Sequence, residues 1–131
     1  MISTNSAPID QENRIKILHL EDSIADHRLA QRALVGSSFD VDWVRVDTLD
    51  SFVAALDHGD CQIVIADYRL NGFTALDAWQ ACKASQIDIP FIIVSGAIGE
   101  AAAVEAIQLG ISDYLHKEAL TTMPRTIHRT L

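Results

Sequence analysis

The chain has 131 residues, of which 49% are hydrophobic, and its formal net charge at pH 7 is −8. This length predicts one globular domain with a core of its own, and the apolar share excludes an intrinsically disordered chain. The acidic charge argues against direct binding to nucleic acid or to an anionic membrane, and it favours a divalent cation or a basic protein surface as partner.

The first residues are polar and contain no apolar segment of the kind found in a secretory signal. We therefore predict a flexible tail over residues 1–13 and a single domain over 14–131. No apolar run approaches the roughly 18 residues that a membrane-spanning helix needs. Cys61 and Cys82 do not form a CxxC pair and predict free thiols in a reducing compartment. Together these features predict a cytoplasmic protein without membrane insertion.

Short apolar segments alternate with helical patterns along the predicted domain. Residues 15–20 predict a first strand that ends in Glu21 and Asp22. Ser23 is a suitable N-cap for the following helix, and Gly36 predicts the end of that helix. The apolar stripe of this helix is expected to comprise Leu29, Ala30, Ala33 and Leu34.

A second unit begins with the valines and Trp43 of a predicted strand over 41–46. Thr48 predicts the N-cap of a helix that ends at Gly59. The apolar residues of this helix recur at i, i+3, i+4 and i+7, which is the helical spacing. They are Leu49, Phe52, Val53 and Leu56.

The third predicted strand, 63–66, is an unbroken apolar run that leads directly into Asp67. Such a run is typical of a strand that is buried on both faces of a parallel sheet. A helix is expected after Gly72, with Leu76, Trp79 and Cys82 facing inward. A fourth buried strand over 91–95 follows Pro90 and ends in Ser95.

The segment from Ser95 through Ala97 leads into a fourth predicted helix. This helix would run through Ala101, Val104, Ala106 and Ile107, and Gly110 would end it. A short fifth strand over 112–115 is followed by Lys117. A last helix is predicted to begin near Met123 and Pro124, because proline is tolerated in a first helical turn.

Five β-α units with short connections predict an α/β fold with a doubly wound, five-stranded parallel sheet in the order 2-1-3-4-5. In this order the ends of strands 1 and 3 are neighbours, so Glu21 and Asp22 would lie beside Asp67. Ser95 and Lys117 follow strands 4 and 5 and would lie on the other side of Asp67. Ligands bind at this edge in open α/β sheets.

Three carboxylates at one edge of a sheet repel one another. Two unit charges about 4 Å apart cost on the order of 4 kcal/mol at an effective dielectric near 20. Lys117 supplies one compensating charge, and carboxylate ligands suit Mg²⁺. With Lys117 and the Ser95 hydroxyl contacting phosphoryl oxygens, Asp67 is a candidate nucleophile that forms an acyl phosphate.

At these positions the chain resembles response-regulator receiver domains over residues 14–131. The shared features are an acid pair, an acceptor aspartate, a serine or threonine after strand 4, an aromatic residue in strand 5 and a lysine three residues later. Here they are Glu21, Asp22, Asp67, Ser95, Tyr114 and Lys117. Asp67 follows Asp22 by 45 residues, Ser95 follows Asp67 by 28, and Lys117 follows Ser95 by 22.

The resemblance implies a flavodoxin-like receiver fold and a role in two-component phosphorelay signalling. Asp67 would accept a phosphoryl group from a phosphohistidine on a histidine kinase or a histidine phosphotransfer protein. Mg²⁺ would be bound by Asp22, Asp67 and the backbone carbonyl of Arg69, with Glu21 acting through water or by positioning.

The resemblance also implies a conformational switch. Ser95 would move to contact the phosphoryl group and Tyr114 would turn inward behind it. Both movements would change the surface formed by helix 4, strand 5 and helix 5. The chain would then act as a phosphoprotein that accepts a group and not as a turnover enzyme.

Several residues depart from the family pattern. Glu118 stands where the family has a proline in a cis bond, so we expect a trans bond and a different loop into the last helix. Asn71 replaces the proline before Gly72.

The runs 95–100 and 113–118 resemble receivers attached to sensor kinases or second-messenger enzymes. A homodimer is compatible with the sequence, although these departures argue against the family's usual one.

Two other functions are weighed against the phosphoacceptor. A Mg²⁺-dependent phosphohydrolase with an aspartyl nucleophile usually has a second acid two residues later, where this chain has Arg69, and it needs a cap domain. A docking module that is not phosphorylated would not need the complete set of site residues.

Because the chain stops at Leu131 within a predicted helix, we expect a piece of a longer protein.

Overall fold

The computed structural model describes residues 14–96 and 100–131. Its centre is a five-stranded parallel sheet in the order β2-β1-β3-β4-β5, which confirms the predicted order. The strands are β1 (Arg14–Leu20), β2 (Asp40–Val46), β3 (Ile63–Asp67), β4 (Phe91–Ser95) and β5 (Asp113–His116). The helices are α1 (Ile24–Leu34), α2 (Leu49–His58), α3 (Ala75–Ala84), α4 (Glu100–Gln108) and α5 (Met123–Thr130).

Helices α1 and α2 begin directly after their predicted N-caps and α2 ends at its predicted glycine, while α1 ends two residues before Gly36. Ser23 caps α1 by accepting a hydrogen bond from the Asp26 N–H at 3.2 Å. Thr48 and Ser51 form a reciprocal capping box at the start of α2. Gly59 ends α2 in the left-handed conformation, with φ of 85°, which costs glycine little because it has no Cβ.

Strand β3 lies at the centre of the core, and all five of its residues are buried. Val64 and Ala66 contribute to an apolar cluster with α2, α3 and α4, while Ile63 and Ile65 contribute to a second cluster with α1 and α5. The alternation arises because successive side chains of a strand point to opposite faces. The sheet is therefore covered on both sides, as the unbroken apolar run of β3 predicts.

Two short elements were not predicted. Arg69–Leu70 and Phe73–Thr74 pair as a small antiparallel hairpin whose turn contains Gly72 with φ of 85°. A 3₁₀ segment, Lys117–Thr122, joins β5 to α5. Neither is long enough to show a periodic pattern of hydrophobic residues. The described residues contain no cis peptide bond, so the Lys117–Glu118 bond is trans, as expected.

The apolar residues of the predicted α1 stripe and of α4 are only partly buried. In α4, Ala106 is fully buried, but Val104 and Ile107 are 50% and 49% exposed. In α1, Ala30 and Leu34 are buried and Leu29 is 45% exposed. Short helices at the margin of a core bury one or two residues per turn, so an apolar residue at a suitable spacing is not necessarily covered.

The predicted tail, residues 1–13, and Ala97 in the loop after β4 lie outside the described residues. The tail and the domain limits therefore stay predictions. Among the described helices, none is long and apolar enough to cross a membrane.

The position of Ile65 makes it a sensitive test of the core. Its side chain is fully buried in the central strand, so Ile65→Ala should lower the free energy of unfolding by about 2–5 kcal/mol through lost burial and a residual cavity. Urea denaturation followed by far-UV circular dichroism measures this. Val35→Ala, at a position that is 79% exposed, is the control and should change stability by less than about 0.5 kcal/mol. Equal effects of the two substitutions would contradict the assignment of β3 as the core strand.

Candidate functional site

The carboxyl ends of β1 and β3 bring three acidic side chains together. Leu20 of β1 is in register with Ala66 of β3. The residues that follow these two along the sequence are Glu21 and Asp67. Carboxylate oxygens of Glu21, Asp22 and Asp67 lie within 4.8 Å of one another. The acids that the sequence placed at one edge are thus neighbours in space.

Glu21 is fixed through both its backbone and its side chain. Its N–H donates to the Val46 carbonyl at 2.9 Å, and its own carbonyl accepts from Arg45 Nη1 at 3.0 Å. The Ser23 N–H donates to Glu21 Oε2 at 3.2 Å. Burial, and next the charge of Asp67, raise the pKa of Glu21 to about 7. The side chain is only 3% exposed, so its carboxylate remains costly to ionise.

Asp22 connects the acid pair to the hairpin that follows β3. The Asn71 N–H donates to Asp22 Oδ2 at 3.0 Å. This bond crosses from the β1–α1 turn to the turn of the hairpin, and Arg69 lies in the same hairpin with its side chain exposed. The hairpin therefore adjoins the acids, although ligation by the Arg69 carbonyl stays a prediction.

Asp67 ends the buried central strand and is 8% exposed. The next backbone N–H, of Tyr68, donates to the Val94 carbonyl at 3.2 Å, so the chain stays joined to β4 beyond the carboxylate. Burial raises the pKa of Asp67, as do the charges of Asp22 and Asp26, while Lys117 lowers it. A carboxylate with a raised pKa is a stronger base and nucleophile once it is ionised.

Lys117 follows β5 and reaches two carboxylates. Its Nζ lies 2.8 Å from Asp26 Oδ2 and 3.8 Å from Asp67 Oδ2. Its aliphatic chain passes Gly96, where an added Cβ would lie 3.5 Å from Lys117 Cδ. Burial lowers the pKa of Lys117, but the hydrogen bond with Asp26 and the charge of Asp67 outweigh it and raise the pKa. The ammonium is therefore fully charged at neutral pH.

Ser95 lies on β4, which pairs with β3, and Tyr114 lies on the edge strand β5, which pairs with β4. Ser95 is the last residue of β4 and is 2% exposed, one residue beyond the Val94 that pairs with Asp67. Tyr114 lies in β5 and is half-buried at the margin of the core, where it borders a surface pocket together with Val104 and Ile107. Their roles in a switch stay predictions.

Two pairs of side chains at the site were not predicted to meet. The first is the ion pair of Lys117 with Asp26, for which the sequence held a usable signal, since Asp26 follows Asp22 by four residues and falls in the first turn of α1. The second joins His19 and His27, whose Nδ1 atoms lie 2.8 Å apart, so that one ring donates and the other accepts. Both rings pack against Trp43.

His19 is 3% exposed, and burial is the main cause that lowers its pKa to about 3, followed by the charge of His27. It is therefore neutral, which suits its place in the core beneath the acids. The side chain of His27 hydrogen-bonds His19 of β1 and packs against Trp43 of β2, so it joins α1 to both strands.

Comparison with known proteins identifies the family. The family model of the response regulator receiver domain matches residues 17–127 of the sequence. The chain belongs to the response regulator receiver domain family. No curated protein matches the chain at a significant level.

Solved structures of receivers share the fold. The Vibrio cholerae chemotaxis protein CheY4 has a TM-score of 0.75 at 18% identity, covering 90% of this chain and 99% of its own. The phosphorylated cyanobacterial phytochrome response regulator RcpA has 0.74 at 22%, covering 88% and 92%. The Mn²⁺-bound form of response regulator Rcp1 has 0.70 at 22%, covering 87% and 91%. At these identities the similarity shows the fold alone.

The raised pKa of Glu21 makes the stability of the receiver depend on pH. The pKa of the carboxyl group is about 7 in the folded state, against 4.5 for an unperturbed glutamate. The contribution of Glu21 to stability is therefore complete below pH 4.5 and is lost as the pH rises through about 7. In EDTA, the wild type should lose roughly 2–3 kcal/mol more than Glu21→Gln between pH 5 and pH 8. Urea denaturation at the two pH values measures this difference.

The matched control is Glu105→Gln on the exposed surface of α4, which should keep the pH dependence of the wild type. A Glu21→Gln variant that loses as much stability as the wild type between the two pH values would show that Glu21 is not the titrating group.

Proposed function

We propose that this receiver domain is a phosphoacceptor in a two-component phosphorelay, in which Asp67 takes a phosphoryl group from a phosphohistidine of a histidine kinase or a histidine phosphotransfer protein. The observation that carries the proposal is the position of Asp67. It is a buried carboxylate with Glu21 and Asp22 within 4.8 Å and the Lys117 ammonium at 3.8 Å. Membership of the receiver family supports the same assignment.

In the proposed reaction a carboxylate oxygen of Asp67 attacks the phosphorus atom. A bond forms between that oxygen and phosphorus, and the bond between phosphorus and the imidazole nitrogen of the donor breaks. The imidazole nitrogen keeps the electron pair of that bond. Because the chain contributes little covalent chemistry beyond Asp67 itself, positioning and electrostatics supply most of the catalysis.

The three acids are suited to a divalent cation. Their oxygens are hard ligands at mutual distances that one ion can bridge, and two of the three side chains are buried. Asp22, Asp67 and the Arg69 carbonyl would bind Mg²⁺, with Glu21 acting through water or by positioning. The ion would neutralise part of the charge of the phosphoryl group. One structural neighbour, Rcp1, has a form with bound Mn²⁺.

The remaining predicted residues act on the phosphoryl group after transfer. Lys117 contacts one of its oxygens, and the Ser95 hydroxyl, at the end of the adjacent strand, donates to another. Tyr114 then turns from the half-buried margin of the core toward the space that Ser95 leaves. The surface that changes is formed by α4, β5 and α5, where Val104 and Ile107 are exposed. Such a domain is a switch and not a turnover enzyme.

Incubation with Mg²⁺ and acetyl phosphate should add one phosphoryl group to the wild-type protein, as measured by intact mass spectrometry. Asp67→Asn should abolish the adduct, because an amide oxygen is a poor nucleophile. Asp47→Asn, an exposed acid in the loop after β2, is the control and should leave adduct formation unchanged. Absence of the adduct in the wild type, or its survival in Asp67→Asn, would contradict the proposal. Continuous release of phosphate from an aryl phosphate would instead indicate a phosphohydrolase.

Mg²⁺ should raise the melting temperature of the wild type, because a ligand that binds only the folded state stabilises it. Asp22→Asn should remove most of this shift, and chelation by EDTA should prevent formation of the adduct. Differential scanning fluorimetry across a Mg²⁺ titration measures the shift. If Mg²⁺ leaves the melting temperature of the wild type unchanged, a docking module that is not phosphorylated becomes the better assignment.

A further inference from the structure

The lysine of the site is bonded to a carboxylate outside the acid cluster. Lys117 Nζ lies 2.8 Å from Asp26 Oδ2, a hydrogen-bond distance, but 3.8 Å from Asp67 Oδ2. Asp26 lies in the first turn of α1, whereas Lys117 lies 91 residues later at the end of β5. The contact therefore exists only because α1 packs beside the end of β5.

We propose that Asp26 is a positioning residue that retains Lys117 away from Asp67 in the unphosphorylated receiver and thereby slows phosphorylation. The inference rests on the proposed function of Asp67 as phosphoacceptor. The lysine that must contact the incoming phosphoryl group is already bonded to a competing carboxylate, so this bond has to be weakened or broken before Lys117 can serve the acceptor.

Asp26 is well placed to compete for the ammonium group. Its backbone N–H donates to Ser23 Oγ at 3.2 Å, so the residue is fixed in the capped first turn of α1. The Asp26 and Lys117 side chains are each 32% exposed, so their ion pair is partly shielded from solvent. Such a pair retains more of its Coulomb energy than a surface salt bridge does.

The surroundings of Lys117 leave it room to move. A cavity of about 50 Å³ lies between α1 and the segment after β5, and its lining includes Asp26, Leu29, Lys117 and Met123. Gly96 has no side chain to obstruct the aliphatic chain of Lys117, and even an added Cβ would lie 3.5 Å from Lys117 Cδ. Lys117 therefore borders open space, and its Nζ has only a separation of 3.8 Å to close in order to contact Asp67 Oδ2.

Asp26 acts in two ways that favour the same state. It bonds the ammonium of Lys117, and its own negative charge opposes the arrival of a dianionic phosphoryl group nearby. Both effects stabilise the unphosphorylated protein relative to the phosphorylated one. Only the first effect depends on direct contact with Lys117. An acid that lies at a comparable position without this contact can exert only the second effect, so its substitution separates the two.

The experiment measures the initial rate of phosphorylation by acetyl phosphate at saturating Mg²⁺, with the adduct quantified by intact mass spectrometry. Asp26→Asn should raise the rate by about fivefold relative to the wild type, and Asp26→Ser should do the same. Asp26→Glu keeps the carboxylate and should return the rate to within about twofold of the wild type. A purely structural role would predict a slower reaction together with a lower melting temperature.

The matched control is Asp50→Asn. Asp50 also lies in the first turn of a helix at this edge of the sheet, but on α2, which covers the opposite face from α1. Its substitution should change the rate by less than about twofold. The inference is overturned if Asp26→Asn and Asp26→Ser react no faster than the wild type, or if Asp50→Asn accelerates the reaction equally. A wild type without any adduct would refute the proposed function itself, and the inference with it.

Discussion

Electrostatic repulsion at one edge of the sheet is the constraint that the rest of the site has to satisfy. Glu21, Asp22 and Asp67 place carboxylate oxygens within 4.8 Å of one another, and two of the three side chains have little contact with water. Burial disfavours their ionised forms, which is why the pKa values of Glu21 and Asp67 are raised. Backbone N–H groups and the Lys117 ammonium compensate part of this charge. The remaining excess of negative charge is why these three acids could hold a metal ion.

The sheet and the segments that follow it contribute differently to this site. Asp67 ends a strand that is buried on both faces, so the fold determines its position firmly. Lys117 instead begins a 3₁₀ segment in which Ala119 departs from helical geometry, with φ of −106° and ψ of 25°. Because 3₁₀ hydrogen bonds have poorer geometry than those of α-helices, such segments adjust more readily. A carboxylate on a buried strand and an ammonium on an adjustable segment would suit the proposed function, in which the charge of the site changes.

Much of the fold followed from local patterns. Strand β3 and the helix that contains Phe52 and Leu56 were predicted correctly, because unbroken apolar runs and 3.6-residue spacing report burial directly. The exposed Val104 and Ile107 show the limit of the same reasoning. Periodicity shows which residues share a face of a helix, but not whether another element covers that face. The hairpin around Gly72 was missed because two-residue strands are too short to show alternation.

The sequence by itself determined the order of the strands and the chemical identity of the site. Acids directly after β1 and β3, and Lys117 after β5, must meet wherever five β-α units form one parallel sheet, since the carboxyl ends of such strands share an edge. Only the tertiary structure decided that Lys117 lies closer to Asp26 than to Asp67, and that His19 bonds His27 beneath the acids. These contacts join side chains on separate elements. Their distances depend on how α1 packs against the sheet, which no local pattern of residues specifies.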